Sequence, residues 1–199
     1  MARSVRGPLN STVSRQSMSS ADSTFADGSQ GTPGRIIKVN HAGEFGAINI
    51  YRAQILIAKL LHRPYVAMLE DFLSHEQKHL RIFGDVLEQR QVARCKSYWL
   101  CGIGGFVLGL LTACLGRKGV MACTAAVETV VTRHLKDQIV ELRTAGDGQA
   151  LAAVGAIVRD EEHHRDAAVS EGFDCIFYRP LYQVIAVSTE AVIWLGMRL

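Results

Sequence analysis

Two steps in this chain place a glutamate three residues before a histidine, Glu76-Gln-Lys-His79 and Glu161-Glu-His-His164; the sequence holds no other Glu-x-x-His. A lone glutamate precedes each at nearly the same distance, Glu44 by 32 residues and Glu128 by 33. Residues i and i+3 share one helix face, so glutamate and histidine of each step can reach the same metal ion. Four carboxylates and two imidazoles projecting from four helices can hold two metal ions inside a bundle. Hard bridging carboxylates with borderline imidazoles suit iron or manganese better than a thiolate-rich zinc site does. A single Glu-x-x-His would mean little, because Ser74-His-Glu-Gln-Lys-His79 could be a solvated helix face. Glu128 is harder to place without a ligand. It interrupts the apolar stretch Ala125-Ala-Val-Glu-Thr-Val-Val131, and an unpaired buried carboxylate is costly enough to require a partner or a metal.

The elements that must position these groups are helices. A gap of 32 or 33 residues fits a hairpin in which the second helix returns to the height of the first residue. Helical rhythm runs from Arg35 to His62 and breaks at Arg63-Pro64. Pro64 suits the first turn of a second helix reaching about Arg94. A third is predicted over Gly119–Thr144, a fourth over Gln149–Ser170, and a last from Pro180 almost to Leu199. β-Branched runs are short and hairpin turn signals are missing, so no sheet is expected.

Between the two halves, Ser97–Gly116 runs 20 residues without a charge, flanked by Lys96 and Arg117. That length would span a membrane. Convergence of the two hairpins opposes a span, since Glu128 follows only 12 residues later and must meet Glu76 and His79. Two readings remain: an interfacial segment lying on a bilayer, and a buried crossover such as a ferritin-like bundle needs between its second and third helices. The last helix has few polar positions; Glu190 interrupts it and is expected to face a polar partner or solvent.

At 199 residues with 48% hydrophobic content, the chain fits one domain, residues 35–199, behind an N-terminal segment. The net charge of +3 is mild and the basic residues are scattered, which argues against nucleic acid as a partner. Five cysteines form no CxxC pair, so reduced and mostly buried thiols are expected. Residues 1–34 are rich in serine and arginine and hold no acidic residue before Asp22. That composition fits an organellar transit peptide or a disordered tail.

Four segments carry a resemblance: Asn40-His-Ala-Gly-Glu-Phe-Gly-Ala47, Met121-Ala-Cys-Thr-Ala-Ala-Val-Glu128, Arg159-Asp-Glu-Glu-His-His164 and Glu190-Ala-Val-Ile-Trp-Leu195. Together they make residues 35–199 closely resemble the demethoxyubiquinone hydroxylases of ubiquinone biosynthesis. The resemblance implies an all-α, ferritin-like four-helix bundle with an apolar interfacial crossover and an additional C-terminal helix. It implies a di-iron monooxygenase that hydroxylates the ring of a polyprenylated 6-methoxy-3-methyl benzoquinone or benzoquinol in the penultimate step of that pathway. The enzyme would be peripheral on the matrix side of the mitochondrial inner membrane, or on the cytoplasmic face of a bacterial inner membrane. Two iron ions per chain, O2 as co-substrate and reducing equivalents from NADH follow from the same likeness. So do a lipid-binding accessory protein and a ubiquinone-biosynthesis complex as partners.

Carried over position by position, the metal ligands implied are Glu44, Glu76, His79, Glu128, Glu161 and His164. Asp160 and His163 offer the same spacing one residue earlier; Glu161 and His164 are preferred because they repeat the helix-two motif. His134 matches a family histidine six residues after the third-helix ligand. Leu135 stands where a tyrosine often follows, so no role of that tyrosine transfers. His41, His75 and His134 are candidates to lie beside the ligands. Gly102-Ile-Gly104-Gly105 lacks the preceding strand and the spacing of a nucleotide fingerprint. The rival readings are another membrane-associated di-iron oxidase of the quinol-oxidase kind and an iron-binding structural subunit.

Overall fold

The computed structural model describes residue 1, residues 31–172 and residues 178–199. The N-terminal segment read as a transit peptide or tail lies almost wholly outside the described residues, as does Cys175. The chain forms α1 (Thr32–Leu60), α2 (Val66–Gln89), α3 (Tyr98–Cys114), α4 (Gly116–Ala145), α5 (Gly148–Ser170) and α6 (Arg179–Gly196). No strand occurs among the described residues, so the fold is the expected all-α bundle.

Several boundaries differ from the expected ones. α1 starts at Thr32, three residues early, with Pro33 in its first turn, where a missing N–H costs nothing. Pro64 falls in the loop and α2 begins at Val66. α2 stops at Gln89, not Arg94, because the chain turns at Gln91, whose φ is 54°. α4 gains a turn and starts at Gly116, which takes φ 74° to reverse the chain after α3.

The bundle proper is α1, α2, α4 and α5. α1 and α2 form one hairpin, and α4 and α5 form the other. Gly146 ends α4 in the left-handed region, and the Asp147 side chain accepts from the Ala150 N–H to cap α5. Arg90 clamps that cap bidentately from the end of α2, with Nη1–Oδ2 at 2.9 Å and Nη2–Oδ1 at 2.6 Å.

α2 ends at the opposite pole from the start of α4, and α3 bridges the gap. Its 17 residues cover about 25 Å at 1.5 Å per residue. It climbs parallel to α1, with Gly102 against Phe45, Gly105 against Gly46 and Gly109 against Ile50. A Cβ at Gly105 would strike the Gly46 carbonyl oxygen, and one at Gly109 the Ile50 carbonyl oxygen. Those glycines are what lets the crossover lie this close to α1. The Ser97–Gly116 segment is therefore a crossover helix with two faces. One is packed on α1; the other leaves Trp99, Leu100, Ile103, Val107 and Leu111 exposed. No described helix is long and apolar enough to cross a membrane.

The core has two apolar layers. Ile36, Ile37, Phe83, Leu135, Leu142, Val154 and Ile157 fill one end. Tyr51, Tyr65, Leu69, Phe72, Met121 and Ala168 fill the other. On every bundle helix the glutamate of interest falls between a residue of the first layer and one of the second: Glu44 between Ile37 and Tyr51, Glu76 between Phe72 and Phe83, Glu128 between Met121 and Leu135, Glu161 between Ile157 and Ala168.

Candidate metal centre

The fold brings Glu44 from α1, Glu76 and His79 from α2, Glu128 from α4, and Glu161 and His164 from α5 to one point between the layers. All six are buried, with at most 5% of any residue exposed. They form two groups, Glu44-Glu76-His79-Glu161 and Glu76-Glu128-Glu161-His164, and in each the ligand atoms lie within 4.8 Å of one another. Glu76 and Glu161 belong to both groups. His79 Nδ1 is 3.0 Å from Glu161 Oε1 and 3.8 Å from Glu44 Oε2. His164 Nδ1 is 3.1 Å from Glu76 Oε1.

These short approaches are poorly directed as hydrogen bonds. Glu76 Oε1, both oxygens of Glu161, and Nδ1 of His79 and His164 are buried with no hydrogen-bond partner. Buried polar atoms are rarely left so. Five of them aimed at one small volume, with donor types suited to a hard or borderline cation, fit metal ions there.

The electrostatics carry the same strain. Burial lifts the Glu44 carboxyl well above its ordinary value, an effect its contact with His79 only partly offsets. Glu128 is raised by burial and then by the charges of Glu161 and Glu76. Burial would also raise Glu76, but contacts with His164 and His79 override it and hold that carboxyl low. Burial would lower both imidazoles. Glu161, Glu44 and Glu76 instead hold His79 far above its ordinary value, and Glu161 and Glu76 push His164 up to about 9.

The outer atoms of the imidazoles are tethered. His79 Nε2 lies 3.0 Å from Asp160 Oδ2. His164 Nε2 lies 3.0 Å from His75 Nδ1, with the two rings stacked. Each tether turns Nδ1 toward the cluster. Asp160, open as an alternative ligand from spacing, thus sits one atom behind His79, and His163 is exposed at the edge of Phe72. His41 packs between Tyr98 and Gly84 instead of joining the cluster. Tyr51 was missed in the sequence: its hydroxyl donates to Glu128 Oε1 at 3.2 Å. It stands seven residues after Glu44, two turns along the same face, and that spacing could have pointed to it. Phe72, also missed, lies against the His164 ring.

An apolar cavity of about 420 Å3 leads to the cluster. Glu44, Glu76, Glu128 and Glu161 lie on its wall, with Gly46, Ile50, Leu108 and Val131 among the apolar lining. Leu100 of α3 and Val192 of α6 also line it and are themselves exposed, so the cavity reaches the surface between those helices. Glu190, left between a polar partner and solvent by the sequence, pairs with His134 and Arg133 of α4. Among the described cysteines all are free; Cys95 and Cys123 are buried and Cys114 is exposed.

The family model for ubiquinone biosynthesis protein COQ7 matches residues 32–196. A Dictyostelium discoideum protein named NADPH-dependent 3-demethoxyubiquinone 3-hydroxylase, mitochondrial, is 32% identical over 167 residues, 82% of this chain and 76% of its own. The mouse protein of the same name is 34% identical over 169 residues, 82% of this chain and 76% of its own. A Rhodospirillum rubrum protein named 3-demethoxyubiquinol 3-hydroxylase is 32% identical over 167 residues, 82% of this chain and 77% of its own. Since the match runs from the first residue of α1 to the last of α6, this chain belongs to the COQ7 family of ubiquinone biosynthesis proteins.

Proposed function

We propose that this chain is a demethoxyubiquinone hydroxylase, a monooxygenase that adds a hydroxyl to the ring of a polyprenylated methoxy-methyl benzoquinone in ubiquinone biosynthesis. The observation that carries the reading is the pair of overlapping four-residue groups, sharing Glu76 and Glu161, at the inner end of an apolar cavity. Glu44 and His79 would complete one metal position, and Glu128 and His164 the other. Two iron ions held there supply the reductive activation of O2 that the hydroxylation requires.

The protein's own part is geometric and electrostatic. Asp160 and His75 fix the two imidazoles, and Tyr51 holds Glu128. The two apolar layers keep bulk water from the carboxylates, which strengthens every charge interaction at the site. The cavity accepts a flat ring at its inner end and leaves the prenyl tail running outward between α3 and α6. Trp99, Ile103, Val107 and Leu111 on α3, with Val184, Val187 and Trp194 on α6, then rest on the bilayer that stores the substrate. The enzyme is peripheral on the matrix side of the mitochondrial inner membrane; of this reading, the names of the Dictyostelium and mouse relatives support the mitochondrion. Its partners are a lipid-binding accessory protein and a ubiquinone-biosynthesis complex. The relatives' names specify NADPH as reductant, where the sequence-based expectation was NADH. The quinol-oxidase and structural-subunit readings are not favoured, because the matching relatives are named hydroxylases of this substrate.

Quinone mass spectrometry in a hydroxylase-deficient host tests the reaction. Complementation with this chain is expected to convert demethoxyubiquinone to ubiquinone, and Glu161→Ala to leave the precursor unconverted. Accumulation of the precursor with the intact chain would refute the reaction; conversion by Glu161→Ala would refute the metal site.

A further inference from the structure

The exposed apolar side chains of α3 and α6 flank the cavity mouth, and charge around them is distributed unevenly. Residues 89–127, which include all of α3, hold Arg90, Arg94, Lys96, Arg117 and Lys118 and no acidic residue. α6 holds one acidic residue, Glu190, and that side chain is paired with Arg133 and His134 of α4.

Two contacts show that α3 and α6 lie side by side in opposite directions. Cys95 Sγ, just before α3, is 3.9 Å from the Gly196 carbonyl oxygen at the end of α6. Tyr178, just before α6, donates its hydroxyl to the carbonyl of Leu115, just after α3, at 3.4 Å. The basic residues therefore gather at the two ends of the apolar face: Arg94, Lys96 and Arg198 at one, Arg117, Lys118 and Arg179 at the other. All six are exposed. Arg117 pairs with Glu171. Among the described residues, no carboxylate forms an ion pair with Arg94, Lys96, Lys118 or Arg198. Two of the guanidinium groups lie over aromatic rings, Arg94 at 4.9 Å from the centre of Tyr98 and Arg198 at 3.7 Å from that of Trp194. Stacking of this kind leaves the in-plane donors for an oxyanion, although Arg198 commits Nη1 to the Trp194 carbonyl. A helix that entered a bilayer end-on would carry one of the two clusters into hydrocarbon, at high cost. Helices lying flat keep both clusters at headgroup level, with the long stems resting on the acyl boundary.

Resting on the membrane contact proposed above, we propose that this face docks on a bilayer of anionic phospholipid: the basic residues at both ends of α3 and α6 bind the headgroup phosphates, and the apolar side chains between them seat the cavity mouth against the acyl chains. A zwitterionic headgroup also carries phosphate, but its own cation offsets the charge. The two clusters therefore respond to the negative surface potential that only anionic lipid supplies.

Sedimentation of the full chain with two sets of vesicles tests this, one of phosphatidylcholine alone and one of equal parts phosphatidylcholine and phosphatidylglycerol. A basic residue near an anionic surface strengthens binding about fivefold. The wild-type protein is therefore expected to bind the anionic vesicles more than about a hundredfold more tightly than the neutral ones, with the difference narrowing as salt is raised. Lys96→Gln with Lys118→Gln takes one exposed charge from each end, and is expected to lose about twenty-five-fold on the anionic vesicles and little on the neutral ones. Arg81→Gln with Arg159→Gln removes the same charge from exposed positions on α2 and α5. Because α3 and α6 pack on α1 and α4, those positions lie across the bundle, and this variant is expected to bind as the wild type does. Equal binding of the wild-type protein to the two vesicle sets would overturn the proposal. So would equal losses in the two double variants, since net charge alone would then drive binding. Binding to neither set would overturn the membrane contact on which the proposal rests.

Discussion

Replacing Glu128 by glutamine should make the metal-free protein more stable and the metal-loaded protein relatively less so. Glu128 is 3% exposed and its carboxyl sits well above the ordinary range, raised by burial and then by Glu161 and Glu76. A carboxyl that holds its proton more tightly in the folded chain than in the unfolded one removes stability as pH rises above its unfolded value. At neutral pH the metal-free fold bears that cost. Glutamine has the same shape without the ionisation, and its carbonyl oxygen can still accept from the Tyr51 hydroxyl at the Oε1 position. Each pKa unit by which folding raises the carboxyl corresponds to about 1.4 kcal/mol of stability lost once the pH exceeds the folded value. In a chain of 199 residues each kcal/mol moves the midpoint by about 2–4 °C. Thermal unfolding in chelator should therefore show the variant several degrees above wild type at pH 7.5, with the gap closing as pH falls toward 4.5. With Fe2+ added anaerobically the order should reverse, because one of the two metal positions has lost a ligand. Each tenfold loss of affinity removes about 1.4 kcal/mol of metal-linked stability. A lower midpoint for Glu128→Gln in chelator, or an undiminished rise on adding iron, would refute the account of Glu128 as a strained, metal-compensated carboxylate.

Three other perturbations follow from the same geometry. Asp160→Asn weakens the tether on His79 Nε2 and should lower iron affinity about tenfold to a hundredfold, as metal titration would show; unchanged affinity would remove Asp160 from the site. Gly109→Val forces side-chain atoms against the Ile50 carbonyl and Ala53, and should cost about 1–3 kcal/mol or more in denaturant melts. The solvent-facing Gly104→Ala on the same helix should cost much less, since nothing lies within 4 Å of its Cβ position. Ile103→Glu with Leu111→Glu places two charges on the exposed face of α3 and should abolish sedimentation with vesicles of inner-membrane composition. Retained vesicle binding would move the membrane contact elsewhere.

Much of the centre was legible in the chain because helical geometry links residue number to position. Three residues make one face and 32 or 33 make one hairpin, so the doubled Glu…Glu-x-x-His pattern specified four helices meeting at one height. The interruption of an apolar run by Glu128 marked it as a buried carboxylate needing a partner before any contact was known. What periodicity could not reach were relations between helices. The position of Asp160 behind His79, the stacking of His75 on His164, and the turning of His41 toward Tyr98 depend on how each helix is rotated about its own axis. Packing of the two core layers sets that rotation. The charge-free segment shows the same division. Its 20 residues allowed a span, an interfacial stretch or a crossover. Close glycine contacts with the carbonyls of Gly46 and Ile50 make it a crossover parallel to α1. The sequence by itself determined the helices, their pairing and the residue types of the buried cluster. Only the tertiary structure decided the cavity between α3 and α6, the shared membership of Glu76 and Glu161, and the pairing of Glu190 with His134 and Arg133. Those features depend on side chains distant in sequence meeting at specific rotations, and no local period records that.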